Sequence, residues 1–118
     1  MPASFIEHKG KKILFIDYHG LIKKEDMMKT LDESMELFKE LDEKARTLID
    51  ITDAAGSKEW MDASKKRGKL VSDKVHKSAI VGVTGIKKVL LMGYNAVAGG
   101  RVKPFDTKEQ ALDYLSSD

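Results

Sequence analysis

The chain has 118 residues, of which 42% are hydrophobic and 34% charged, and its formal net charge is +2. This length and composition are typical of one globular domain that can bury a hydrophobic core, so we expect residues 1–118 to form a single domain. The chain has no cysteine, which excludes disulfides, thiolate metal ligands and cysteine nucleophiles.

The charge is divided unevenly along the chain. Residues 54–104 hold 11 basic and 3 acidic side chains, whereas residues 25–53 hold 4 basic and 10 acidic ones. A basic surface favours anionic partners, and a solvated helix surface of mixed charge is the plain alternative. We see no signal-peptide pattern and no apolar run near the roughly 20 residues of a membrane span. We therefore expect a cytoplasmic protein, with peripheral membrane contact as an option.

The first half of the chain predicts a hairpin, a helix and a buried strand. Residues 4–8 and 12–18 are rich in apolar side chains, and the Lys-Gly-Lys between them suits a tight turn. Residues 25–43 carry apolar side chains at three- and four-residue steps, which predicts an amphipathic helix. Residues 48–51 form a short apolar run typical of a buried strand.

Two long helices and a strand are predicted next. The first helix covers 58–75, and its inward face has small residues in the middle: Trp60, Ser64, Gly68, Val71 and Val75. A nearly all-apolar strand covers 78–83. The second helix covers 86–98 and is apolar nearly all round. One face carries Ile86, Val89, Leu90, Gly93 and Val97, and the opposite side carries Leu91, Tyr94 and Ala98. A helix of this kind is buried or covers something.

Gly99-Gly100 is predicted to end the third helix, and a strand over 101–105 follows it. The last predicted element is a helix with a capping box at its start. The order ββ-α-β-α-β-α-β-α predicts an α/β fold. Its sheet is mixed and mainly parallel, begins with an N-terminal β-hairpin and has right-handed crossovers. Four side chains are expected to be buried: Phe15, Ile49, Val81 and Leu112.

Two strand-to-helix junctions are the candidate locations for function, because ligands of open α/β sheets bind beyond the carboxyl ends of the strands. At the first, Asp50 and Asp53 have the oxygen ligands that Mg²⁺ prefers. We favour a structural role, in which Asp53 caps a turn and Asp50 pairs with Lys87 or Arg101. At the second, Thr84 and Gly85 precede Lys87 and Lys88 and form the best candidate for an anion site, with an ordinary helix cap as the alternative.

No catalytic constellation follows from the remaining residues. His8, His19 and His76 lie on different predicted elements without metal-ligand spacing, although pairing of the first two strands could bring His8 and His19 together. There is no G-x-S-x-G elbow, so we expect no enzyme and no cofactor. A Lys-rich stretch at 65–69 could contact nucleic acid, but the absence of an aromatic stacking platform argues against that partner.

Four strings, in this order and spacing, carry a resemblance to a known family. They are residues 13–20 (ILFIDYHG), 48–52 (LIDIT), 79–85 (AIVGVTG) and 103–111 (KPFDTKEQA). The chain resembles the SpoIIAA-like group of STAS domains, which are related to the domains of sulfate transporters and anti-anti-sigma factors. The resemblance implies a non-enzymatic binding or regulatory module. This group is also similar in fold to CRAL-TRIO lipid-binding domains, which implies an apolar ligand groove under the helices.

The same resemblance implies an alternative that depends on Ser57. Anti-anti-sigma members carry a phosphorylatable serine in an Asp-Ser-Ser-Gly turn at a helix start. Ser57 lies at a comparable helix start but follows Ala-Ala-Gly, so the chain departs from that pattern. A phospho-regulated protein-interaction switch through Ser57 is therefore the second hypothesis, and a homodimeric interaction domain is the third.

The preferred hypothesis is a module that binds an anionic, partly apolar, lipid-like ligand or a membrane surface at the second and third helices. A partner protein is the remaining option. The expected ligand-binding residues are Trp60, Met61, Lys65, Thr84, Gly85, Lys87, Lys88, Leu91 and Tyr94.

Overall fold

Two strands joined by a tight turn open the fold, as the sequence predicts. In the computed structural model, which describes residues 2–98 and 102–117, β1 (Ala3–His8) pairs antiparallel with β2 (Lys11–Asp17). The turn residues Lys9 and Gly10 have φ angles of 49° and 78°. Positive φ at both positions matches the right-handed twist of a hairpin.

The remaining elements alternate between helices and strands. The strands are β3 (Ala45–Asp50), β4 (Val75–Val81) and β5 (Val102–Phe105), and the helices are α1 (Lys24–Phe38), α2 (Lys58–Val71), α3 (Ile86–Ala98) and α4 (Lys108–Ser116). The described strands form one sheet in the order β1-β2-β3-β4-β5, with parallel pairing from β2 onward. The predicted α/β class and the opening hairpin are confirmed.

This strand order determines which face each helix covers. From β2 to β5 the chain moves across the sheet in one direction, so right-handed crossovers put α1, α2 and α3 on the same face. Helix α4 follows β5 and packs on the opposite face, where Ala111 and Leu115 lie against Ile13 and Leu48. Because neighbouring strand residues point to opposite faces, Leu14 belongs to the core beneath the other three helices.

Several element boundaries differ from the prediction. Helix α1 ends at Phe38 rather than at residue 43, because acidic side chains crowd the following turn and oppose the helix dipole. Helix α2 ends at Val71 and is followed by a 3-10 turn, Ser72–Lys74, where the Ser72 hydroxyl donates to the Lys69 carbonyl over 3.0 Å. Strand β4 consequently begins at residue 75, and β3 begins at residue 45.

The core prediction is confirmed for Val81, which is 4% exposed. It is wrong for Phe15, Ile49 and Leu112, which are half-buried. The short helix α4 covers only part of its face, and the Lys108 ammonium lies 4.6 Å from the centre of the Phe15 ring. Phe15 and Leu112 belong to this face, whereas Ile49 packs against the core of the opposite face. A position at the centre of a strand therefore does not ensure full burial.

The structure determines the rotation of α3, which the sequence left open between two apolar sides. Val89, on one side, is 64% exposed, and Met92 is 72% exposed. Leu91 and Tyr94, on the other side, pack against the core. A helix that is apolar all round gives no sequence signal for its rotation. The predicted glycine stop at 99–100 and the start of the last strand at Arg101 lie outside the described residues.

Candidate functional site

A cavity lies between the sheet and the three helices of one face. Its volume is about 300 Å³, and its lining residues come from β2 to β5, from α1, α2 and α3, and from the segments between them. Protein cores normally pack as densely as organic crystals, with few voids larger than a water molecule. Pockets for small ligands begin at about 300 Å³. A void of this size in a small domain is therefore the leading candidate for a binding site.

Small side chains on the two flanking helices leave this space open. Ser34 of α1 and Ser64 and Gly68 of α2 line the cavity, where a core helix would ordinarily present Leu or Ile. Ser34 and Ser64 are 2% and 9% exposed. The Ser34 hydroxyl donates to the Leu31 carbonyl over 2.7 Å, so its polarity is satisfied within its own helix.

Most of the wall is apolar. Met27, Leu31 and Phe38 of α1 face Ile49 and Ile80 of the sheet across the cavity. These side chains offer contact area without hydrogen bonds, as a hydrocarbon ligand requires.

Five of the nine predicted ligand-binding residues line this cavity: Trp60, Met61, Lys87, Leu91 and Tyr94. They come from two helices, so the fold brings together what the sequence separates by some thirty residues. Their role in binding stays a prediction.

The other four predicted residues are not among those that line the cavity. Thr84 and Gly85 are exposed at the start of α3, where their carbonyls accept from the backbone N–H groups of Lys87 and Lys88 over 3.1 Å each. The Lys88 side chain lines a separate open hollow with Phe105. Lys65 of α2 is half-buried, and its ammonium lies close to Gly93 of α3. The structure therefore divides the predicted site into an internal and an external group.

A basic group lies in the cavity wall at the carboxyl edge of the sheet. The Lys87 ammonium donates to the Ile51 carbonyl over 3.0 Å. That carbonyl is neutral, so this hydrogen bond does not balance the positive charge of Lys87. The second cation of the wall, Arg67, instead forms an ion pair with the Asp32 carboxylate. Lys87 is accordingly the cation best placed to attract an anionic group.

Tyr18 was not predicted to belong to the site but lines the cavity and is 3% exposed. Its ring meets the Trp60 ring edge-on, with centroids 5.2 Å apart. Burial raises the pKa of Tyr18, and the nearby Trp60 opposes this rise only in part. The phenol is therefore protonated at neutral pH. Alternation along β2, which puts Ile16 and Tyr18 on one face, is the signal that could have identified it.

The carboxylates of the strand ends stabilise turns. Asp17 and Asp50 are neighbours in the β2–β3 register, and each accepts a backbone N–H two residues on, from His19 and Thr52, over 2.9 Å. The expected pairing of Asp50 with Lys87 is wrong, because Lys87 binds the adjacent carbonyl of Ile51. Arg101, the other partner considered, lies outside the described residues. Within residues 2–98 and 102–117, no three His, Asp or Glu side chains converge as metal ligands would.

The histidines do not form a pair. His8 lies beside the hairpin turn, opposite Lys11, whereas His19 follows the other end of β2. The His8 Nε2 atom instead lies 3.2 Å from the Asp113 carboxylate of α4. Pairing of the first two strands therefore does not bring His8 and His19 together.

Ser57 caps α2 as predicted. Its hydroxyl oxygen accepts the Trp60 backbone N–H over 3.0 Å. We expect Ser57→Ala to lower the free energy of unfolding by about 1 kcal/mol, the usual cost of losing an N-cap. Urea denaturation measures this change. An unchanged stability together with lost binding of a partner protein would instead favour the switch hypothesis.

The strand order and the placement of the helices define a class of protein. A sheet of order β1-β2-β3-β4-β5, with three helices on one face and one on the other, is the fold expected of STAS-like domains. A family model described as SpoIIAA-like matches residues 13–116, and the chain therefore belongs to the SpoIIAA-like family.

A solved structure agrees with this assignment. The chain is similar to a protein of Shewanella loihica whose structure is described as an uncharacterized protein with a SpoIIAA-like fold. The identity is 22%, the TM-score is 0.75, and the match covers 96% of this chain and 91% of the other. At this identity the likeness supports the fold alone. No curated protein matches the chain.

One structural feature bears on membrane association. Among the described residues, no helix is both long enough and apolar enough to cross a bilayer.

Proposed function

We propose that this SpoIIAA-like domain is a non-enzymatic module that binds one lipid-like, partly apolar and anionic molecule in the cavity beneath α1, α2 and α3. The apolar void of about 300 Å³ is the observation that carries the proposal. Leaving such a void empty costs stability, because the surrounding atoms lose their packing partners. A bound hydrocarbon chain restores those contacts.

Lys87 supports the anionic part of the proposal. Its ammonium lies in the cavity wall at the carboxyl edge of the sheet and contacts a neutral carbonyl. An anionic group at this edge gains a charge-assisted hydrogen bond while its apolar part enters the cavity. The surrounding segment is rich in lysine and adds long-range attraction for anions.

A membrane surface is the second candidate partner, and the outer side of the same helices favours it. Val89 and Met92 of α3 and Leu70 of α2 are more than 60% exposed. Exposed apolar side chains next to lysines suit the interface of an anionic bilayer. They would equally suit a second copy of the chain, which is the homodimer alternative.

The single tryptophan provides a direct test of the cavity. Trp60 lines the cavity, so a bound fluorescent fatty acid such as cis-parinaric acid should accept energy from it. We expect saturable energy transfer with a stoichiometry of one. Lys87→Met should weaken binding at least about tenfold, because a hydrogen bond to a charged group contributes about 1.5–3 kcal/mol.

Lys88→Met is the matched control, since Lys88 is the neighbouring lysine and its side chain lines the separate hollow. If Lys87→Met and Lys88→Met weaken fatty-acid binding equally, the fatty acid is attracted to the outer surface rather than to the cavity. Flotation with anionic vesicles, without energy transfer from Trp60, would then favour the membrane surface. Absence of any binding by wild type would refute the cavity proposal.

A further inference from the structure

Two polar groups in the cavity wall have no hydrogen-bond partner among residues 2–98 and 102–117. They are the Trp60 indole N–H and the Ser64 hydroxyl, and both atoms are inaccessible to solvent. Both residues are 9% exposed and line the same cavity. A buried polar group without a partner is rare in native proteins, and each one requires an explanation.

The two groups are arranged to act together. Trp60 and Ser64 are four residues apart on α2, so they lie on one face of the helix, about 6 Å apart along it. Tyr18 is a polar neighbour of the indole, because Trp60 opposes part of the rise in the pKa of Tyr18, but the geometry falls short of a hydrogen bond. The wall therefore offers one N–H donor and one hydroxyl, both neutral, on the side of the cavity formed by α2.

We propose that Trp60 and Ser64 form a polar subsite that holds a neutral oxygen acceptor of the bound molecule. This inference rests on the proposed function and specifies the ligand class. The cavity then binds an apolar molecule with a carbonyl, ester or ether oxygen more tightly than it binds a pure hydrocarbon of the same shape. Two neutral donors suit such an oxygen, whereas the anionic group belongs with Lys87 at the sheet edge.

Selectivity follows from the cost of leaving the donors unpaired. A hydrocarbon would bury the indole N–H and the hydroxyl without a partner, whereas an oxygen acceptor satisfies them. An ordered water molecule is the competing occupant, because it could satisfy both groups without any ligand. Water would leave no preference between an oxygen-bearing compound and its hydrocarbon analogue.

A pair of neutral compounds of matched shape tests the subsite independently of Lys87. In 2-acetylnaphthalene the ketone oxygen is the acceptor, and 2-isopropenylnaphthalene has a CH₂ group in its place. Displacement of directly excited cis-parinaric acid measures both affinities. We expect wild type to prefer the ketone by about tenfold, and Trp60→Phe and Ser64→Ala each to remove most of that preference.

Ser116→Ala is the matched control. Its hydroxyl donates to the Leu112 carbonyl over 2.9 Å and belongs to α4, on the opposite face of the sheet, so the preference for the ketone should persist. The subsite is overturned if wild type shows no preference, or if Trp60→Phe and Ser64→Ala both leave it intact. The proposed function stands in either case as long as cis-parinaric acid binds. Failure of that fatty acid to bind would count against the proposed function itself.

Discussion

Replacing Gly82 with alanine should lower the free energy of unfolding by about 3 kcal/mol or more. Gly82 has a φ angle of +87° at the end of β4. A Cβ atom at this position would lie 2.4 Å from the Thr52 backbone nitrogen, closer than real Cβ contacts occur. The unfavourable φ costs about 1–2 kcal/mol and forced overpacking about 1–3 kcal/mol more. Urea denaturation measures the loss.

Two other glycines provide controls that separate the clash from the backbone conformation. Gly10 and Gly20 have φ angles of +78° and +73°, and no atom lies within 4 Å of a Cβ added to either. Their alanine variants should lose only the cost of the φ angle, about 1–2 kcal/mol. If Gly82→Ala is no less stable than these controls, the close approach of β4 to the segment after β3 is wrong.

This close approach matters for the site because it joins the two strand-to-helix junctions. The Ile51 N–H donates to the Val81 carbonyl over 3.0 Å beside Gly82. The Ile51 carbonyl in turn accepts from Lys87. The sheet edge that positions the cationic group of the cavity therefore depends on a glycine.

Replacing Ser34 with leucine should abolish ligand binding while it stabilises the empty protein. Ser34 is 2% exposed, lines the cavity and donates only to a carbonyl of its own helix. A leucine side chain would extend into the void. Burying a leucine contributes about 1.5–3 kcal/mol, so we expect a gain in the free energy of unfolding of roughly 1–2 kcal/mol. The affinity for cis-parinaric acid should fall at least about tenfold, since leucine would occupy the space that the fatty acid needs.

Ser116→Leu is the control for this substitution. Ser116 lies in α4 on the opposite face of the sheet, and its hydroxyl also donates to a carbonyl of its own helix, that of Leu112, over 2.9 Å. Its replacement should leave fatty-acid affinity unchanged. A large loss of stability in Ser34→Leu, with binding retained, would mean that the space beside Ser34 is filled and that the fatty acid binds elsewhere.

The order of elements could be predicted from the sequence because periodicity and turn residues determine it locally. The capping box at the start of α4, formed by Thr107 and Gln110, is an example in which neighbouring residues alone suffice. The end of α1 could not be placed as well. Its apolar pattern continues to Leu41, but the acidic residues at the end of the pattern favour an earlier stop.

The site could be predicted only in part, for a physical reason. The predicted inward face of α2 includes Trp60, but its small residues indicate close packing against a neighbouring helix as readily as the open space that the structure has there. Nothing in the sequence gives the rotation of α3, because apolar residues surround it. The anion site expected at Thr84 and Gly85 depended on local chemistry, whereas the fold directs these residues to solvent. Ser34 joins the cavity through tertiary packing, which a single sequence does not display.

Native mass spectrometry of the freshly purified protein tests the central claim most directly, because it reports a bound molecule and its stoichiometry together. We predict one additional mass per chain, that of an amphipathic molecule with an anionic group and at least one further oxygen. The same mass should be missing from Ser34→Leu and present in Ser116→Leu. Wild-type protein that carries no additional mass, even after incubation with cis-parinaric acid, would contradict a ligand-binding cavity.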